Sequence, residues 1–474
     1  MKKLILLGLW LSVAAVAPAK VKLPSVLGSH MVLQRETDVN LWGEAAPGRR
    51  VKIVTSWNRT EYRVTAGKDG RWLARVSTPE AGGPYSIRIS DGEPLVLDDV
   101  LIGEVWVCSG QSNMQLPLEG NYGEPTEGFV EALLSAQDYP DVRLFNVGRT
   151  TSDTLQRDCE GEWQRGTAEN IAPFSAAGYF FGRNLSRVLG IPVGLVGSNW
   201  GGTRIEAWMT TASAEKVNPE VMASDEECGD PNRIGGLYNA MIAPISHYTA
   251  RGFIWYQGES NIATGTTSFY ADYMETMVAL WRQTWGDDGM PFYYVQLAPE
   301  DYDGPDGILL PLLIEQQVAA LDRIPACGMA GATDIGAGPD CHHPPMMKVI
   351  GERLALLALN RTYGQKGFPD QCPVYRSARF EGNRATVRFE TSLSLGPIYA
   401  PVSGFEIAGE DRVFHPARAE YVSGRPEIVL TADEVPAPVA VRYAFCNVPE
   451  NATLCNTAKL PAVPFRTDRW DDVK

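Results

Sequence analysis

The chain has 474 residues, 44% of them hydrophobic, and a formal net charge of −15. That is the composition of a globular protein with ample core, and its length suggests roughly three domains. The negative balance, with no basic block anywhere, argues against nucleic acid and anionic lipid as partners.

Lys2 and Lys3 precede the apolar run Leu4 to Val16, and Ala17-Pro18-Ala19 supplies a small-residue cleavage site. The pattern is that of a secretory signal peptide over residues 1–19, too short to span a bilayer. No later stretch reads as a membrane helix, so the mature chain is expected in the periplasm or outside the cell. All eight cysteines lie in the exported part, where disulfides are permitted. Cys446 and Cys455, flanking an Asn- and Pro-rich loop, are the expected pair.

Residues 20–99 carry short alternating runs at Val39–Trp42, Val51–Val54, Trp72–Val76 and Tyr85–Ile89, broken by Gly and Pro clusters. Strands at that spacing predict a small β-sandwich, read as a packing module in preference to a sugar-binding one. Over 100–371 the texture becomes strand–helix alternation. Strands are expected at 105–108, 142–147, 193–197, 253–256, 292–296 and 328–333. Helices are expected at 179–189, 273–285, 312–321 and 348–359. Such alternation implies a mostly parallel sheet covered on both faces. Residues 372–474 return to short alternating runs and read as a second β module.

Chemistry concentrates at the ends of the central strands. The run Val105-Trp-Val stops at Ser109-Gly110 and delivers Ser112 on the turn Gly110-Gln-Ser-Asn-Met114. A serine there sits where open α/β sheets keep their reactions. Met114 stands where a nucleophile elbow would need glycine, so the α/β-hydrolase motif is absent. A serine nucleophile needs a base, and only five histidines exist. His30 and His415 lie in the flanking modules, and His247 has no acidic neighbour in sequence. His342 and His343 stand in Gly338-Pro-Asp-Cys-His-His-Pro-Pro345, after the last central strand. Asp340 precedes His343 by three residues, a spacing that lets a carboxylate fix the imidazole tautomer. His343 is therefore the preferred base and His342 its rival. Oxyanion donors are expected from Gly201 or Gly202, in Gly197-Ser-Asn-Trp-Gly-Gly-Thr203, and from Gln257 or Asn261, in Gln257-Gly-Glu-Ser-Asn261.

Taken in order, Gly-Gln-Ser112-Asn-Met, Trp-Gly201-Gly-Thr-x-Ile-Glu-Ala-Trp208, Trp-Tyr-Gln257-Gly-Glu-Ser-Asn and Asp340-x-x-His343-Pro resemble the sialate O-acetylesterase family of SGNH hydrolases. The likeness extends to Leu23-Pro-Ser, His30-Met-Val-Leu-Gln, Gly351-Glu-Arg-Leu-Ala-Leu356 and Gly404-Phe-Glu-Ile-Ala-Gly. It implies a flavodoxin-like α/β/α esterase domain with flanking β modules, acting on acetylated carbohydrate without metal or cofactor. It implies Ser112 as nucleophile, His343 as base and Asp340 as orienting carboxylate. The Ser112 N–H, a glycine N–H of the 201–202 pair and the Gln257 or Asn261 amide would form the oxyanion hole. Gln111, Arg204 and Glu259 are expected to bind substrate. Arg204, where the family often has proline, is suited to a substrate carboxylate. Activity should fall as the base protonates, with an ordinary imidazole pKa of ~6.5.

Three other readings compete with deacetylation of sialic acids. Acetylxylan or another polysaccharide could present the same ester. A carbohydrate-binding protein with a vestigial triad, or a metal site on Asp340, His342 and His343, would belong to other classes.

Overall fold

The computed structural model describes residues 21–121, 123–220, 229–304, 306–336, 338 and 341–471. The segment expected to be a signal peptide and Asp340 lie outside the described residues. The chain forms a mixed α/β structure around one central sheet, with further β-sheets at both ends.

The spine is the strand Pro94–Gly110. Its first half pairs antiparallel with Gly82–Ser90 and parallel with Val32–Gln34, inside the amino-terminal sheet. Its second half pairs parallel with Val193–Asn199 on one side and Gly252–Tyr256 on the other. One strand therefore serves two sheets, running straight through the boundary expected at residues 99 and 100. From Val100 to Gly110 every residue of it is buried. A strand covered on both faces needs a continuous apolar run and not an alternating one.

Outward from Gly252–Tyr256 follow Phe292–Val295 and Cys327–Ala330, and outward from Val193–Asn199 follows Val142–Asn146, all parallel. A short antiparallel strand, Trp163–Arg165, closes that edge. Two helix pairs cover the sheet: Ala176–Leu189 with Met347–Leu357, and Tyr270–Trp285 with Leu309–Arg323. Ser175 caps the first of these, its hydroxyl accepting from the Gly178 N–H at 3.0 Å, and Gly190 ends it in the left-handed region. Trp106 lies between the helix residue Phe181 and the neighbouring strand's Tyr293, with ring centroids 5.1 and 5.8 Å away. Burying side chains of this size contributes about 1.5–3 kcal/mol each.

The amino-terminal module and the α/β region share one continuous hydrophobic core, whereas the carboxyl-terminal strands enclose their own. Polar ties reinforce the first junction. Buried Glu104 accepts hydrogen bonds from Gln34, Arg35, Arg251 and Tyr363. Asp99 pairs with Arg143, Arg165 and His30. The expected Cys446–Cys455 disulfide is not formed; both thiols are free. Cys455 is opposite Gly396 in a two-residue ladder, and its sulfur lies 3.7 Å from the Gly396 carbonyl oxygen. Among the described residues no helix is long and apolar enough to cross a membrane.

Candidate active site

Ser112 begins the short helix Ser112–Gln115 directly beyond the spine strand. Gly110 makes the turn possible. Its φ is +139°, and a Cβ there would come within 2.1 Å of the Tyr256 carbonyl oxygen. Only glycine permits both that backbone and that approach. The Gln111 N–H donates to the same Tyr256 oxygen at 2.9 Å, and the Trp200 N–H donates to Gly110 at 3.1 Å. The turn that carries Ser112 is thus pinned to both neighbouring strand ends.

Those two strand ends carry the expected glycine and amide blocks. Gly201 abuts the serine, since a Cβ built on it would lie 3.1 Å from Ser112 Cβ. Its N–H is engaged with Gln115 Oε1 at 2.7 Å. The Gly202 N–H donates to no protein acceptor among the described residues. Ser112 stands at the start of its helix, where an N–H has no intrahelical acceptor. Of the glycine pair, then, Gly202 is the one with a backbone donor to offer.

Gln257 and Asn261 are fully buried. Gln257 Nε2 donates to Gln111 Oε1, Thr203 O and Asn261 Oδ1, at 3.1, 3.0 and 2.7 Å. Asn261 Nδ2 donates to Glu206 Oε2 and Thr266 Oγ1, both at 2.8 Å. Both amides are committed to protein acceptors, because a buried donor without one would be costly. This differs from the expectation that one of them faces an oxyanion. Gln111, 3% exposed, likewise turns inward: its Oε1 also accepts from the N–H groups of Gly258 and Ser260. These three side chains form the scaffold under the site.

The histidine loop reaches the serine turn through Asn113. Asn113 Nδ2 donates to the His342 carbonyl at 3.3 Å and to Glu259 Oε1 at 2.6 Å. The residue after Ser112 therefore touches the residue before His343. The Ser112 hydroxyl and the His343 ring are not hydrogen-bonded to one another; in unliganded sites such bonds are often long and tighten with substrate. His342 and His343 face different carboxylates. His342 Nδ1 pairs with Glu300, which also accepts from Tyr302 at 3.0 Å, and its side chain is 66% exposed. His343, 21% exposed, is the more enclosed, and its Nδ1 is 2.8 Å from Glu124 Oε1. The other histidines lie elsewhere: His30 on Asp99, His247 edge-on to Trp42, His415 in a carboxyl-terminal strand.

Burial pushes the Glu259 carboxyl up to about 7, against the Asn113 hydrogen bond, with Glu300 adding to the rise. Its Oε2, the Asn113 Oδ1 and the Tyr256 hydroxyl are buried without partners. Arg204 N–H and Nη2 donate to Asn232, whose Nδ2 in turn donates to the Gly202 carbonyl at 2.8 Å. Glu206 pairs with Asn261. Neither Glu124 nor Glu300 stands out in sequence. Nothing in the spacing links residue 124 to 343, and only the fold brings them together.

Residues 102–359 match the family described as "Carbohydrate esterase, sialic acid-specific acetylesterase". The chain is 28% identical to the sialate O-acetylesterases of Mus musculus and Homo sapiens, over 93% of its own length and 93% and 91% of theirs. It is 36% identical to a carbohydrate acetylesterase from Xanthomonas citri of known crystal structure, covering 95% of this chain and 100% of that one with a TM-score of 0.86.

Proposed function

The chain belongs to the family of sialic acid-specific carbohydrate esterases and is a carboxylic ester hydrolase acting on acetylated carbohydrate, and within that class we propose that it removes O-acetyl groups from sialic acids with Ser112 as nucleophile and His343 as base. The observation that carries this reading is the Asn113 bridge, which joins the serine turn to the histidine loop. The proposed fold is the flavodoxin-like one of SGNH hydrolases, and the spacing to His343 makes Asp340 one candidate for the carboxylate that orients it.

In the proposed sequence His343 Nε2 takes the proton of Ser112 Oγ as the oxygen attacks the acetyl carbon. The negative charge that develops on the carbonyl oxygen is met by the N–H groups of Ser112 and Gly202. Collapse breaks the bond to the sugar oxygen, which leaves with the proton from the imidazolium. Water, deprotonated by the same ring, then cleaves the acetyl-serine, releasing acetate and restoring the hydroxyl. Glu259 and Arg204 would line the substrate side. Arg204 would meet the sialic acid carboxylate.

Hydrolysis of a panel of acetylated glycans by wild type and Ser112→Ala tests both parts. Release of acetate from O-acetylated sialosides by wild type alone is expected; an active Ser112→Ala would remove the nucleophile assignment. A second reading, deacetylation of a polysaccharide such as acetylxylan, rests on the 36%-identical Xanthomonas citri protein being described as a carbohydrate acetylesterase with no restriction to sialic acid. Faster release from acetylxylan than from sialosides would select it.

A further inference from the structure

We propose that Glu124 is a positioning residue for this esterase site: its carboxylate, reaching across from a separate loop, holds the His343 imidazole in the tautomer and orientation that catalysis requires. The inference rests on the reading of His343 as base.

The geometry is specific. Glu124 Oε1 accepts from His343 Nδ1 at 2.8 Å. A proton fixed on Nδ1 leaves Nε2 with a lone pair, the form able to take the serine proton. Glu124 is also held from both sides. Its N–H donates to Asn121 O at 2.7 Å and its carbonyl accepts from the Asn121 N–H at 3.0 Å, closing a tight turn. Gly120, with φ +78°, allows that closure, because a Cβ there would lie 2.3 Å from the Glu124 carbonyl oxygen. Three residues on, the Glu127 N–H donates to Pro345 O at 2.8 Å, clamping this segment to the histidine loop itself. Thr126 Oγ1 ties it back to Pro117 O at 3.2 Å, just beyond the nucleophile helix. The loop thus bridges the two halves of the site, and Glu124 is where it meets the base.

The other charged groups nearby are already engaged elsewhere. Glu300 pairs with His342, and Glu259 binds Asn113. Asp340, on the histidine's own loop, lies outside the described residues, and its carboxylate is the alternative orienter.

The test is the pH dependence of kcat and KM for 4-nitrophenyl acetate with wild type, Glu124→Gln, Glu124→Asp, Asp340→Asn and Ser112→Ala, each checked for folding by circular dichroism. Glu124→Gln should lower kcat by ~10–10³-fold with KM little changed, as expected when a base loses its orienting carboxylate. Its acid limb should also move to lower pH, because the imidazolium loses a neighbouring negative charge. Glu124→Asp, which keeps the charge, should retain the wild-type limb. A Glu124→Gln enzyme with unmoved limb overturns the proposal, whether its rate is normal or reduced. So does full activity in that variant beside an inactive Asp340→Asn. If instead Ser112→Ala is as active as wild type, the esterase-site reading fails first, and independently of Glu124.

Discussion

Asn113 and Glu259 are joined by a hydrogen bond of 2.6 Å, from the amide directly after Ser112 to a buried carboxyl just beyond the end of the adjacent strand. The same amide reaches the His342 carbonyl. Three chain segments are therefore registered by one side chain, the latter two lying 146 and 229 residues away from Asn113. Asn113→Ala should lower kcat/KM for 4-nitrophenyl acetate by ~10–10²-fold and cost about 1–3 kcal/mol of stability, the usual result of orphaning a buried acceptor. An enzyme of normal activity would show that the bridge is not needed for catalysis.

Glu259 should make stability fall as pH rises. The folded chain keeps a proton up to about 7, while an unfolded carboxyl releases it near 4.5. Between those values the folded state binds more protons, so each step upward in pH favours unfolding. Glu259→Gln carries no such term. Thermal unfolding should show the variant gaining in Tm relative to wild type as pH is raised from 4.5 to 7. A constant difference across that window would mean the carboxyl is ionised in the fold.

Asp99 should act in the opposite sense. Burial alone would raise its carboxyl, but the Arg143 and His30 hydrogen bonds, with the charges of Arg143 and Arg165, bring it down to about 2. The stability this ionised group supplies is complete above its ordinary value of 3.8 and is lost as pH falls toward 2. Asp99→Asn should lower Tm at pH 7 and flatten the loss between pH 4 and 2. The backbone φ of +55° is one that asparagine adopts readily, so the variant isolates the charge. Parallel acid curves for the two proteins would count against the role.

Two glycines at the site should separate folding from catalysis. Gly110→Ala would set a Cβ 2.1 Å from a backbone oxygen that cannot move without breaking the sheet, and poor soluble expression is expected. Gly201→Ala would set a Cβ 3.1 Å from Ser112 Cβ and 3.4 Å from both Gln115 Oε1 and Ser112 Cα, and its φ is not in the left-handed region. That variant should fold with a near-normal Tm while kcat drops ~10-fold or more, through displacement of the serine. Equal activity in Gly201→Ala and wild type would mean the hydroxyl tolerates the shift.

Arg204→Ala should reduce kcat/KM on O-acetylated sialosides by more than its effect on neutral acetyl esters, by ~10-fold, if the guanidinium meets a carboxylate. An unchanged ratio would reduce Arg204 to its observed part in holding Asn232 and the glycine turn.

Much of this was legible in the residues. The central strands and helices announced themselves because apolar periodicity and glycine punctuation are local properties. The helix expected at 179–189 lies within Ala176–Leu189, and the strand expected at 193–197 within Val193–Asn199. The strand at 105–108 was underestimated, because its continuation back to Pro94 belongs by pattern to the preceding module and only sheet pairing unites the two. The cysteine pairing failed for a related reason: proximity in sequence says nothing of where a sulfur points.

The order of the blocks around Ser112, Gly201, Gln257 and His343 is written in the chain, since each is a short motif set at a strand end by its own glycines. What each polar group then faces was decided in three dimensions. The amide of Gln257 turned inward onto Asn261 Oδ1 and that of Asn261 onto Glu206 and Thr266, and among the described residues Gly202 was left with the open N–H. Glu124 came onto the His343 ring from a loop that no spacing rule connects to it. Hydrogen bonds are short and directional, and a buried donor takes whichever acceptor the packed backbone brings within reach.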